Sequence, residues 1–174
     1  YYTPKNYVCG CVATATAQIM RYHCWPTDEV AVFTETCSVD GADTDLTTLG
    51  GGFDWENMPE KEVYPSGTGD LQCQAMGRLT YECGVAVRMQ YAEDGSGAIT
   101  AEVPPALIER FGYANAQWFG NTSLLTGDES VRAEYIYPSL DAGYPVLFSI
   151  RGVSGGHAVV CDGYGYSTID GEAV

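Results

Sequence analysis

The stretch GCVATATAQIMRYHCWP, residues 10–26, decides the fold. Small and apolar residues lie nearly all round a predicted helix over residues 11–23, so we expect this helix to be buried and to stop before Pro26. Its first residue is Cys11. The dipole and the free N–H groups of a helix start favour a thiolate and can donate to an oxyanion. Cys11 is therefore a candidate nucleophile, and its own backbone N–H is a candidate oxyanion donor.

A second candidate catalytic residue lies in GGHAVVCDGY, residues 155–164. His157 begins a predicted strand, directly after Gly155 and Gly156, and glycines allow a substrate to approach the backbone closely. A cysteine at a helix start, followed much later by a histidine at a strand start, has the chain order of papain-type enzymes. In that arrangement the histidine takes the thiol proton. A structural histidine, hydrogen-bonded at a turn, is the alternative interpretation of His157.

The pattern of the remaining chain predicts helices first and strands last. Asp70 is expected to cap the second helix and Gly84 to follow its end. Residues 27–52 are predicted to be mainly loop. Helices are predicted over 11–23, 70–83, 103–111 and 129–142. Strands are predicted over 30–33, 85–91, 145–151 and 157–161. A tight turn over 152–156 is expected to join the last two strands as a hairpin. This order predicts an α+β fold with a helical lobe facing a sheet lobe.

Composition excludes several classes of function. The 174 residues suit one domain, and 45% of them are hydrophobic, which is enough for a sizeable core. The net charge of −15 argues against nucleic acid and anionic membranes as partners, because phosphate binding needs clustered basic residues. No stretch approaches the roughly 18 consecutive apolar residues of a membrane span.

The seven cysteines leave two interpretations open. One special thiol and three disulfides would suit a secreted protein, whereas packed free thiols would suit a reducing compartment. A zinc site is not predicted, because Cys9 and Cys11 form the only tight cysteine pair and the chain has two histidines. We predict no metal and no cofactor.

Together these motifs resemble the streptopain family, peptidase family C10, of secreted bacterial cysteine peptidases. Residues 10–26 resemble its active-site helix, and residues 155–164 resemble its histidine strand. The stretches FDWENMP, MGRLTYECGVAVRMQYAEDGSGA and ALIERFGY, at 53–59, 76–98 and 106–113, also match in order. The resemblance implies a papain-like fold with the active site in the cleft between its lobes. It implies one domain over residues 1–174, with a helical part over about 1–112 and a sheet-rich part over about 113–174.

The same resemblance implies the chemistry. Cys11 matches the family's nucleophile and His157 its base. Apart from the resemblance, Gly155 and Gly156 are candidates for the lining of the substrate groove, as are Gly95, Gly97 and Gly152. The resemblance implies an endopeptidase acting on polypeptide substrates, secreted or held at the bacterial cell surface, and made as a zymogen. A propeptide or a protein inhibitor is the expected protein partner.

Two parts of the family pattern lie outside this stretch of sequence. They are an upstream glutamine that completes the oxyanion hole and a downstream Asn-Trp-Gly-Trp strand. We therefore expect the chain to be truncated at both ends relative to the family. A catalytically weak or inactive papain-like binding domain is the alternative function. A transferase, in which an amine captures the thioester, is a third.

Three other residues are weighed against the proposed pair. Cys9, before Gly10, fits a related arrangement in bacteriocin-processing peptidases, but the longer match favours Cys11. His23 lies 12 residues after Cys11 on the same helix, about 18 Å away, so we expect a structural role. Asp162 could orient His157 only across a sharp turn, because five residues of strand span about 16 Å.

Overall fold

The computed structural model of the chain describes residues 2–59, 69–119, 132–153 and 155–165, and the backbone of 168–169 and 172–173. Its longer elements are helices α1 (Cys11–His23), α2 (Asp70–Ala86), α3 (Val103–Glu109) and α4 (Tyr137–Asp141), and strands β1 (Thr34–Val39), β2 (Ala42–Thr47), β3 (Gln90–Tyr91), β4 (Val146–Gly152), β5 (Gly155–Cys161), β6 (Thr168–Ile169) and β7 (Glu172–Ala173). The strands form three small sheets, β2–β1–β3, β4–β5 and β6–β7. The fold is therefore α+β, as predicted.

Helix α1 is the centre of the core, and its bounds confirm the prediction. It packs against α2 on one side and against β5 and β4 on the other. Seven of its residues are buried: Val12, Ala13, Ala15, Thr16, Ala17, Ile19 and Met20. Thr16 is tolerated there because its hydroxyl donates to the Val12 carbonyl at 2.8 Å. The helix ends where Cys24 adopts a left-handed conformation, with φ 46°.

Helix α2 differs from its prediction at both ends. Gly69, not Asp70, is the N-cap residue, and the helix continues through Gly84 to Ala86. A Cβ on Gly84 would overlap the Tyr91 hydroxyl, so the glycine is required for the close approach of β3 to the helix. The strand predicted over 85–91 is correspondingly reduced to Gln90–Tyr91.

The prediction of loop over residues 27–52 is wrong. β1 and β2 form an antiparallel hairpin, and β3 pairs with β1 in parallel. Asp40 and Gly41 turn the hairpin with φ of 52° and 79°, the Asp-Gly signature of a two-residue hairpin turn. The short strand predicted over 30–33 is only an isolated bridge from Val30 to Gly51.

The β4–β5 hairpin confirms the prediction for the end of the chain, with strands that run closer to the turn than expected. Ser149 pairs with Ala158, and Ile150 pairs with His157. Ala158 is 5% exposed and belongs to the same hydrophobic cluster as Val12 on α1. This cluster holds the hairpin against the central helix.

The remaining predicted helices are shorter than expected. α3 ends at Glu109 instead of reaching residue 111, and Gly112 follows it with φ 67°. The fourth predicted helix, over 129–142, corresponds to a π-helical turn over Arg132–Ile136 followed by α4, while residues 129–131 lie outside the described residues. Within the described part of the chain, no helix has the length and apolarity needed to cross a membrane.

Candidate active site

Cys11 is the first residue of α1. Its N-cap residue is Gly10, with φ 82° and ψ 150°, and no side chain caps the helix. The N–H groups of the first turn therefore have no side-chain acceptor from the N-cap. Cys11 is partly buried and packs against the hydrophobic core. The geometry places N–H donors and the positive dipole end of the helix beside the thiol, where they can stabilise an oxyanion.

Gly10 is closely surrounded. A Cβ added to it would lie 2.8 Å from Met89 Sδ and 2.9 Å from the Ser96 carbonyl oxygen. The turn that contains Ser96 therefore lies directly against the residue preceding Cys11. Gly95 and Gly97 on either side are groove candidates, whereas Ser96 is not predicted from the sequence, although it lies in a Gly-Ser-Gly pattern. Its buried Oγ has no hydrogen-bond partner among the described residues.

The other cysteines differ from Cys11 in their environment. All seven thiols are free in the structure, so the three disulfides of the first interpretation are not formed in it, and only Cys37 and Cys83 are buried. Burial raises the pKa of Cys37 to about 11, and burial also raises the pKa of Cys83 well above its usual value. Both are therefore poor nucleophiles. Cys9 Sγ lies 3.4 Å from Thr14 Oγ1.

His157 is the third residue of β5 and is exposed. Its strand packs against α1, so the elements that carry Cys11 and His157 are in direct contact. In the described part of the chain, no side chain hydrogen-bonds or pairs with the His157 imidazole. Asp162, the candidate orienter, is exposed beyond the end of β5, and no hydrogen bond of the described residues joins it to His157.

The end of the β4–β5 hairpin has few neighbours in the described part of the chain. Among those residues, a Cβ on Gly152 or Gly155 would meet nothing within 4 Å, and one on Gly156 would meet only the Ile150 carbonyl oxygen at 3.9 Å. Gly155 has φ 125°, which favours glycine. No described side chain therefore covers the two groove candidates next to His157.

His23 lies at the far end of α1 among aromatic rings. Its ring centroid is 5.0 Å from that of Tyr22, 6.5 Å from that of Tyr113 and 5.7 Å from that of Tyr144. Burial lowers the pKa of His23, so the neutral ring is favoured. These contacts describe a packed aromatic cluster and fit the structural role expected for His23. Among the described residues, no group of three or more His, Cys, Asp or Glu side chains is arranged to hold a metal ion.

The chain is similar to known thiol proteases. The thiol protease/hemagglutinin PrtT of Porphyromonas gingivalis is 33% identical over 156 residues, which are 89% of this chain and 18% of that protein. Streptopain of Streptococcus pyogenes is 31% identical over 162 residues, which are 88% of this chain and 39% of streptopain. The chain therefore spans well under half the length of these relatives.

Solved structures show the same fold. Active interpain A, a cysteine protease of Prevotella intermedia, matches with a TM-score of 0.74 and 29% identity over 91% of this chain and 66% of that chain. A prointerpain A fragment matches with the same TM-score over 50% of its chain. The model of the peptidase C10 family covers residues 1–172. The chain therefore belongs to the peptidase C10 family.

Proposed function

We propose that the chain is the peptidase domain of a cysteine endopeptidase, secreted or held at the bacterial cell surface, in which Cys11 is the nucleophile and His157 the general base. The observation that carries the proposal is the start of α1. A partly buried thiol lies at an uncapped helix start, and the helix packs against the strand that contains His157. The thiol protease relatives support the same reaction class.

The proposed reaction uses few groups. The His157 imidazole takes the proton of the Cys11 thiol, and the thiolate attacks the peptide carbonyl carbon. The backbone N–H of Cys11 donates to the resulting oxyanion, and the imidazolium returns its proton to the leaving amine. Water then attacks the thioester, with imidazole as base, and releases the carboxylic acid and the free thiol.

The proposal includes the organisation of the chain. We propose one domain over residues 1–174, with a helical part over about 1–112 that also carries the β1–β2–β3 sheet, and a sheet-rich part over about 113–174. Polypeptides are the substrates. A propeptide that keeps the enzyme latent is the expected partner, supported by the match to a prointerpain A fragment.

Active-site labelling tests the proposal. The full-length protein is treated with a peptide epoxide or chloromethyl ketone between about pH 5 and 8, and the modified residue is located by mass spectrometry. We expect labelling of Cys11 and cleavage of a peptide substrate, both abolished in Cys11→Ala. Cys9→Ser is the matched control, because it removes a nearby thiol and should leave both signals. Folded protein that is never labelled at Cys11 would refute the peptidase assignment.

The binding-domain alternative has one observation in its favour, namely that no described side chain orients the His157 imidazole. In that case peptides should bind without being cleaved, and Cys11 should react no faster than an ordinary thiol. His157→Ala separates the two functions, because it should slow labelling of Cys11 strongly in a peptidase and leave it unchanged in a binding domain. The transferase alternative predicts amine adducts when an amine acceptor is supplied.

A further inference from the structure

The β4–β5 hairpin carries an arginine that has no partner among the described residues. Arg151 is exposed, and its side chain makes no ion pair or hydrogen bond in that part of the chain. The ion pairs of the described residues involve Lys5, Arg78, Arg88 and Arg110. In a chain with 23 acidic and 8 basic residues, no acidic side chain of the described residues competes for the Arg151 guanidinium.

The position of Arg151 relates it to the candidate active site. Arg151 pairs directly across the hairpin with Gly156, the residue before His157. Side chains alternate between the two faces of a strand, so Arg151 and Gly156 lie on the same face of the hairpin as Ala158, two residues further along β5. Ala158 is buried in the core cluster that also contains Val12, next to Cys11. Arg151 therefore continues the core-facing row of the hairpin beyond the point where core packing ends, whereas the exposed His157, between Gly156 and Ala158, lies in the alternate row.

Among the described residues, few atoms lie beside Arg151. Gly156 has no side chain, and of these residues a Cβ there would meet only the Ile150 carbonyl oxygen at 3.9 Å. A Cβ on Gly152 or Gly155 would meet none of them within 4 Å. A polypeptide lying along this glycine surface would bring its side chains within reach of a guanidinium group. A guanidinium forms two parallel hydrogen bonds to a carboxylate, which gives both affinity and geometric selection.

We propose that Arg151 is a specificity residue that selects an aspartate or glutamate side chain of the polypeptide substrate, close to the bond that Cys11 attacks. This inference rests on the proposed peptidase function for the position of the scissile bond. Because the chain has a net charge of −15, a cation beside the groove favours the segment of an acidic polypeptide that places a carboxylate next to it.

The test measures binding separately from cleavage. Fluorescent peptides that differ only by Glu or Gln at one position, scanned across the groove, are titrated against full-length protein carrying Cys11→Ala. At one position we expect the Glu peptide to bind about fivefold more tightly than the Gln peptide. Adding Arg151→Gln should abolish the difference, Arg151→Glu should reverse it in favour of a Lys peptide, and Arg151→Lys should retain part of it.

Lys5→Gln is the matched control, because it makes the same change in net charge at an exposed pair with Asp40 and should leave the Glu preference intact. The thermal midpoint of Arg151→Gln should equal that of the parent, since the side chain has no described partner to lose. The inference would be overturned if Arg151→Gln left the ratio of Glu-peptide affinity to Gln-peptide affinity unchanged, or if no peptide position preferred Glu. Failure of Cys11 labelling alongside a Glu preference that depends on Arg151 would instead refute the peptidase function alone.

Discussion

Replacing Gly10 with alanine should both destabilise the protein and impair Cys11. The backbone of Gly10, with φ 82° and ψ 150°, lies in a region that is almost exclusive to glycine, and the strain for alanine is about 1–3 kcal/mol. The new Cβ would also lie 2.8 Å from Met89 Sδ and 2.9 Å from the Ser96 carbonyl oxygen. Overpacking of this kind costs about 1–3 kcal/mol. Together the two costs are about 2–6 kcal/mol.

A second glycine separates the two contributions. Gly41 has φ 79°, and a Cβ there would meet none of the described residues within 4 Å. Gly41→Ala should therefore show backbone strain alone, about 1–2 kcal/mol. The free energy of unfolding of each variant is measured by urea denaturation, followed by tryptophan fluorescence and extrapolated linearly to water. Gly10→Ala should be the more destabilising change by at least about 1 kcal/mol.

Labelling of Cys11 provides a second readout for the same pair of variants. Gly10→Ala moves the start of α1, so we expect the rate of Cys11 modification by a peptide chloromethyl ketone to fall about tenfold or more. Gly41→Ala lies in the β1–β2 turn and should leave that rate unchanged. Equal destabilisation by the two variants, or an unchanged labelling rate in Gly10→Ala, would refute the reasoning about the Gly10 contacts.

Two further predictions concern packing and charge. Gly84→Ala should lower the thermal midpoint, because its Cβ would overlap the Tyr91 hydroxyl. Adding Tyr91→Phe should restore part of the loss, since it removes a buried hydroxyl that has no hydrogen bond among the described residues. A double variant no more stable than Gly84→Ala would contradict this packing. Burial disfavours ionised Glu35, but hydrogen bonds from Arg88 and Arg110 outweigh burial and lower the pKa of Glu35. The contribution of ionised Glu35 to stability is therefore complete above the unfolded-state pKa of about 4.5 and is lost as the pH falls through the lowered pKa. In Glu35→Gln, the free energy of unfolding should therefore fall less steeply with decreasing pH in this acidic range than in the parent protein.

Local patterns were sufficient for the elements on which the candidate site is built. The bounds of α1 follow from its apolar residues and from the break before Pro26, which act through helix geometry alone. The β4–β5 hairpin follows from two apolar runs joined by glycines. The likeness to C10 peptidases rests on these same stretches. Cys11 and His157 could therefore be named as candidates before any tertiary structure was considered.

The polar strands β1 and β2 are not predicted by hydrophobic patterns. β1 and β2 are rich in Thr, Asp and Glu, and their side chains are mostly exposed, so their hydrophobic pattern is weak. Only the turn at Asp40 and Gly41 indicates the hairpin. Gly84 was interpreted as a helix end because glycine disfavours helices, yet contact with Tyr91 outweighs that preference.

By itself, the sequence determined the α+β class, the central helix that begins with Cys11 and the hairpin that carries His157, because periodicity and glycine punctuation act over a few neighbouring residues. Only the tertiary structure decided what surrounds them. Ser96 lies against Gly10 although it is distant in the chain, and Cys37 and Cys83 are buried while Cys11 is only partly buried. Such relations depend on contacts between residues far apart in the chain, as does the packing of α1 against β5.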